Sequence, residues 1–216
     1  MTGSAWAFIG FGAALAALYG VRFAGAAPSA SKSAVKTAAT AALAASGLPL
    51  GAPWMVVAGL ALGALGDFFL SRPGNQAFMA GMAAFAAGHL AYAGAFLAVG
   101  ADALPVLPAL LLLALALSTE VWLAPHTGAL RWPVRGYVVV ITLMAYTALS
   151  ISADVSGAVI AIAGAGLFIL SDLLLALETF VVAAPDTRRG LARLLWPAYW
   201  GGQLLILVGL ATAFSA

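Results

Sequence analysis

The chain has 216 residues, of which 64% are hydrophobic and only 7% charged, and its mean hydropathy is +1.09. Such a chain cannot cover a water-facing surface with polar groups, so a soluble domain is excluded and an all-α integral membrane protein is expected. The absence of cysteine excludes disulfides, thiolate catalysis and thiolate-bound metals, and nine basic residues scattered over short loops, at a net charge of +2, form no stripe for nucleic acid.

Apolar runs of about 20 residues mark spanning helices. The chain supplies eight, organised as one transmembrane domain over 1–216. The first, Ala5–Val21, precedes a small-residue stretch at Ala24–Ala30 that looks like a cleavage region, but its apolar run is long for a signal peptide and an uncleaved helix is expected. The second, Ser33–Ser46, is short and rich in Ala and Thr, and it opens beside Lys32 and Lys36. Pro53–Ser71 carries Asp67, and Ala77–Val99 carries His89 and Tyr92. Leu104–Leu123 closes on Glu120, and Val134–Ser152 opens on Arg135. Val155–Phe180 carries Asp172 and Glu178; Leu194–Phe214 begins near Pro197 and carries Tyr199 and Gln203. Turn-forming clusters separate the runs, among them Arg72-Pro-Gly-Asn75, Pro125-His-Thr-Gly128 and Ala184-Pro-Asp-Thr187.

The nine basic residues test this count. Arg22, Lys32 and Lys36 lie in or beside the first loop, Arg72 in the third, Arg131 and Arg135 at the fifth, and Arg188, Arg189 and Arg193 at the seventh; the even loops and both tails have none. Under the positive-inside rule this alternation puts the odd loops in the cytoplasm and both termini outside. With an Ala/Gly-rich, Arg-over-Lys composition, the expected location is the inner (plasma) membrane of a bacterium. Leu65-Gly-Asp-Phe-Phe-Leu-Ser71 and Leu170-Ser-Asp-Leu-Leu-Leu-Ala176 echo each other four helices apart, which suggests a parallel four-plus-four repeat.

Asp67 and Asp172 narrow the function most. A carboxyl group at bilayer depth costs roughly 2.5–3.5 kcal/mol on insertion scales, so it persists where it faces a polar interior. By helix direction, both aspartates, Lys36, Arg135, Glu120 and Glu178 share the cytoplasmic half, with His89, Tyr92, Tyr199 and Gln203 near mid-membrane. Convergent helix faces would then form a pocket toward the inner leaflet. The bland readings are a hydrogen bond within the bundle for each Asp, a satisfied interior histidine for His89, interfacial belts for Trp196 and Trp200, and snorkelling anchors for the basic residues. His89 and His126 form no i,i+4 pair, so no metal site is expected.

Gly66-Asp67-Phe-Phe-Leu70, Gly88-His89-Leu-Ala-Tyr92, Met144-Ala-Tyr-Thr-Ala148, Ser171-Asp172-Leu-Leu-Leu-Ala176 with Phe180, and Tyr199-Trp-Gly-Gly-Gln203 together resemble the YhhN family, which includes the lysoplasmalogenases. The resemblance implies an eight-helix membrane hydrolase without a cofactor that cleaves the vinyl ether bond of a lysophospholipid to a fatty aldehyde and a glycerophospho-head group. It makes Asp67 and Asp172 the acidic pair and Lys36 the basic residue of the second span, where the family's Lys-Pro is Lys36-Thr37 in this chain. Vinyl ether hydrolysis needs one protonated carboxyl and one carboxylate, the division of labour used on glycosidic bonds. His89 and Tyr92 are then expected to orient the acids, Tyr199 and Gln203 to hold water, and Lys36 and Arg135 to bind the lipid phosphate. Which aspartate is the acid stays open at this point. The other reading is a small proton-coupled transporter or lipid carrier with the aspartates as relay; its signature would be Pro or Gly breaks inside matched helices, whereas Pro133 and Pro197 are expected at span starts.

Overall fold

The computed structural model describes residues 3–103 and 106–215. They form eight α-helices: α1 (Gly3–Arg22), α2 (Ala30–Gly47), α3 (Trp54–Leu70), α4 (Asn75–Ala98), α5 (Val106–Trp122), α6 (Arg131–Leu149), α7 (Ala158–Ala176) and α8 (Pro185–Ser215). Leu104, the expected first residue of the fifth span, lies outside the described residues. Six helices are long and apolar enough to cross a membrane: α1, α4, α8, and α5, α6 and α7 with their flanking turns. The other two are α3, apolar but only 17 residues long, and α2, built of small and hydroxyl residues around Lys32 and Lys36.

Local chemistry explains where the observed ends depart from the expected ones. α2 starts at Ala30 rather than Ser33, because the Ser29 side chain caps it by accepting from the Lys32 amide. α8 starts at Pro185 rather than Leu194. Proline is favoured at a first helical position, and Asp186 in the first turn suits the positive end of the helix dipole. The turns bearing Arg188, Arg189 and Arg193 are helical but too polar to register in an apolar run. Pro197 therefore sits inside α8 and not at a span start, a correction to the expectation above. α7 continues into a single π-helical turn, Leu177–Val181, that carries Glu178.

The tightest pairings are α7 with α8 and α3 with α4; α1, α2 and α3 follow one another in a row, and α6 joins α4 to α7. Close approach of α7 and α8 needs glycine: a methyl group on Gly164 would lie 2.6 Å from the Ile206 amide nitrogen, and one on Gly202 would lie 2.8 Å from the Gly164 carbonyl. Trp196 and Trp200, expected in an interfacial belt, instead brace α8 inside the bundle. Their indole N–H groups donate to Ala16 O at 2.8 Å and Ala39 O at 3.1 Å. α5 stands apart, packed chiefly on α6, with no buried residue among those described.

Polarity is inverted relative to a water-soluble bundle. Trp6, Phe11, Val106, Leu117, Val121, Val139 and Val159 point outward, while Asp67, His89, Thr40, Ser46 and Gln203 are fully buried. At one end, the basic loops gather: Gly25 abuts Arg189, and the Ser33 hydroxyl reaches Ser71 O at 3.5 Å. At the other, the α4–α5 and α6–α7 connections join through an antiparallel bridge, Ala101 to Ile151, with Asp102 N donating to Ser150 O at 2.7 Å. Alternating helix direction thus brings the cation-bearing ends together and leaves the polar core just beneath them.

Candidate active site

Two carboxylates anchor two different hydrogen-bond groups. On α3, Asp67 is fully buried, and its Oδ1 lies 3.0 Å from the Lys36 ammonium. Its Oδ2 accepts from the Thr40 hydroxyl at 2.7 Å and the Tyr199 hydroxyl at 2.9 Å. Lys36 and Thr40 are i and i+4 on α2, so one helix face delivers both. The Lys36 ammonium also stands 5.9 Å from the Trp196 ring and 5.8 Å from the Tyr199 ring, which offsets part of its desolvation. Three donors, one of them cationic, suit an ionised carboxylate.

The second group forms a line through His89. Its Nδ1 is 2.7 Å from Phe85 O, and its Nε2 is 3.1 Å from Asp172 Oδ2. A carbonyl oxygen can only accept, so Nδ1 carries a proton. The Nε2 to Oδ2 contact then needs a second proton, supplied either by a protonated Asp172 to neutral imidazole or by imidazolium to a carboxylate. In both cases the pair holds one transferable proton. The Tyr137 hydroxyl approaches Asp172 Oδ1 at 3.4 Å, and the Phe168 ring lies 4.5 Å from the imidazole, centroid to centroid.

Two cavities meet at Asp172. An apolar groove of about 310 Å³ runs between α5, α6 and α7, and its floor includes Phe85 and Leu70. Among its lining residues Asp172 is the one acid and there is no base. A smaller cavity of about 140 Å³ holds Asp67, Lys36, Lys32, Glu178 and Tyr19 at the basic end, and it too includes Asp172. Leu70, Phe85 and Leu175 line both. A hydrocarbon compartment thus adjoins a charged one, with Asp172 lining both.

The structure sorts the expected site residues as follows. Asp67, Lys36 and Tyr199 come together directly, and so do Asp172 and His89. Tyr92 and Gln203 bond to one another instead, the Tyr92 hydroxyl donating to Gln203 Oε1, and neither bonds an aspartate. Gly63 makes room for that pair, since a methyl group there would lie 2.7 Å from Gln203 Nε2. Arg135 is not brought to the site: it pairs in bidentate fashion with Glu120 at the junction of α5 and α6 and lines neither cavity. Lys36 lines the charged cavity, but its ammonium is engaged by Asp67. Thr40, Tyr137, Lys32 and Glu178 belong to these groups and were not among the expected site residues. The i,i+4 spacing from Lys36 is a signal that could have found Thr40; Tyr137 has none in its apolar run.

Arg135→Gln is accordingly expected to leave the thermal midpoint close to wild type, because its partner Glu120 is 38% exposed and such pairs add little. A fall of more than about 5 °C, measured beside wild type, would show that the pair holds α5 against α6.

The sequence model described as the YhhN family matches residues 31–210, most of the chain. No curated protein and no solved structure matches it.

Proposed function

The chain belongs to the YhhN family and is a multi-pass membrane protein, and from that premise we propose that it is an intramembrane hydrolase cleaving the vinyl ether bond of a lysoplasmalogen-like lysophospholipid. The observation that carries this reading is the line from Phe85 O through the His89 imidazole to Asp172 Oδ2, where the apolar groove meets the charged cavity. A lysophospholipid divides at the same place. Its alkenyl tail is hydrocarbon, its head group is charged, and the vinyl ether lies between them.

The chemistry follows from the two groups. Asp172, paired with His89, delivers a proton to the alkene carbon remote from oxygen, which leaves an oxocarbenium ion at the carbon bearing oxygen. Asp67, kept as a carboxylate by Lys36, Thr40 and Tyr199, faces the same charged cavity and offsets that positive charge. Water adds to the cation and loses a proton to the now basic Asp172–His89 pair. As the hemiacetal collapses to fatty aldehyde, that proton passes to the departing glycerol oxygen, and the hemiacetal hydroxyl proton is taken up by the Asp172–His89 pair, which is thereby restored. Lys32, whose ammonium donates to the Ala26 carbonyl at 2.5 Å, lines the charged cavity, and in this reading it receives the phosphate. With the basic loops in the cytoplasm, substrate would come from the inner leaflet.

The test is aldehyde release by detergent-purified protein from an alkenyl lysophospholipid, with no ion gradient and no added cofactor. Sustained release is the expected result; none at any substrate concentration would overturn the proposal.

A further inference from the structure

We infer that the groove between α5, α6 and α7 is the binding site for one unbranched alkyl chain, and that Gly166 sets how far that chain can run. The inference deepens the function proposed above and rests on it for the position of the reacting bond at Asp172.

The groove extends from Phe78, Trp122 and Phe180 at the basic end to Leu112, Ala145 and Gly166 in the opposite half. It shares Asp172 with the charged cavity as a lining residue, so an occupant with one charged end and one hydrocarbon end would set its junction at that residue. A purely apolar molecule would leave the charged cavity, lined by Lys32 and Glu178, unfilled. Along α7, Gly166 lies six residues before Asp172, a rise of roughly 9 Å, or about seven carbons of extended chain. It shares a helix stripe with Leu170 and Leu173, both of which line the groove.

The two glycines near this point on α7 have opposite roles. Gly164 is demanded by the backbone of α8, whereas a methyl group on Gly166 would meet nothing within 4 Å. Helix packing does not require Gly166. Its missing side chain leaves the groove open beyond the reach of a short tail, and a longer tail crosses that position.

The probes are saturated 1-O-alkyl lysophospholipids, which contain no vinyl bond and cannot be cleaved, with tails of about 6 and about 16 carbons. Each buried methylene is worth about fourfold in affinity, so the longer tail is expected to bind wild type at least about tenfold more tightly than the shorter. Gly166→Phe should remove that advantage while holding the shorter tail within about threefold of wild type. Gly166→Leu should do the same in smaller measure and serves if the phenylalanine variant folds poorly. Gly10→Phe, on a lipid-facing position of α1 with open space around it, should leave both affinities unchanged. Unchanged binding of the longer tail by the Gly166 variants would overturn the inference, as would an equal loss with Gly10→Phe. Aldehyde release from the matching alkenyl lipids separates the two claims. Release without a chain-length effect removes the tail site alone, and a chain-length effect without release removes the hydrolase but keeps the site.

Discussion

Asp172→Asn is expected to lower aldehyde release by about 10²–10⁴-fold while leaving the thermal midpoint near wild type. Asparagine keeps the shape of the side chain, and its amide N–H can still donate to His89 Nε2, so the line from Phe85 O through the imidazole to α7 survives. The proton that this line can give away does not. Asp172 is also the partly accessible acid of the pair, about 9% exposed against 0% for Asp67, so its neutral replacement strands no deeply buried cation. A folded, inactive protein is therefore the predicted phenotype. Turnover within threefold of wild type would exclude Asp172 as the acid.

Lys36→Met is expected to destabilise the protein by about 3–5 kcal/mol as well as to abolish turnover, because it leaves Asp67 buried without its counter-charge. The Thr40 and Tyr199 hydroxyls would still donate to Asp67 Oδ2, but Oδ1 would face only hydrocarbon and the vacated side of the cavity. Adding Asp67→Asn in the same chain should recover most of the lost thermal midpoint, since a neutral amide beside methionine no longer requires a cation. It should recover no activity. Recovery of stability without turnover would separate the pair's two contributions, holding α2 against α3 and keeping one carboxylate ionised beside the reacting bond. Equal instability of the single and double variants would show instead that Lys36 matters through its packing on Trp196 and Tyr199.

The two variants differ because the aspartates differ in surroundings, and those surroundings are not readable from the local motifs. Gly66-Asp67-Phe and Ser171-Asp172-Leu look alike in the chain. One faces a lysine and two hydroxyls, the other a histidine whose far nitrogen is already committed to a carbonyl. Spacing within α2 could have placed Thr40 beside Lys36, although Thr40 was not among the expected site residues. Nothing in the chain marks Tyr137 on α6 as a neighbour of Asp172 on α7, or shows that Tyr92 would meet Gln203, because such pairings depend on how two helices rotate about their own axes.

Composition by itself determined that this is a membrane-embedded helical protein, since so few charges cannot solvate a surface, and apolar run lengths with turn chemistry determined eight helices in order. The motifs also carried the YhhN resemblance that the family match bears out. Helix ends at the membrane surface were less legible, as α8 shows: hydropathy reports where hydrocarbon begins, while capping, Pro185 and exposed arginines decide where the helix begins. Only the tertiary structure decided that Arg135 is claimed by Glu120, that α5 stands off far enough to leave a groove, and that the groove runs past Asp172. Those outcomes come from the close approach that small residues allow between α3 and α4 and between α7 and α8, which fixes the bundle's inner faces and leaves α5 the one helix without a buried side.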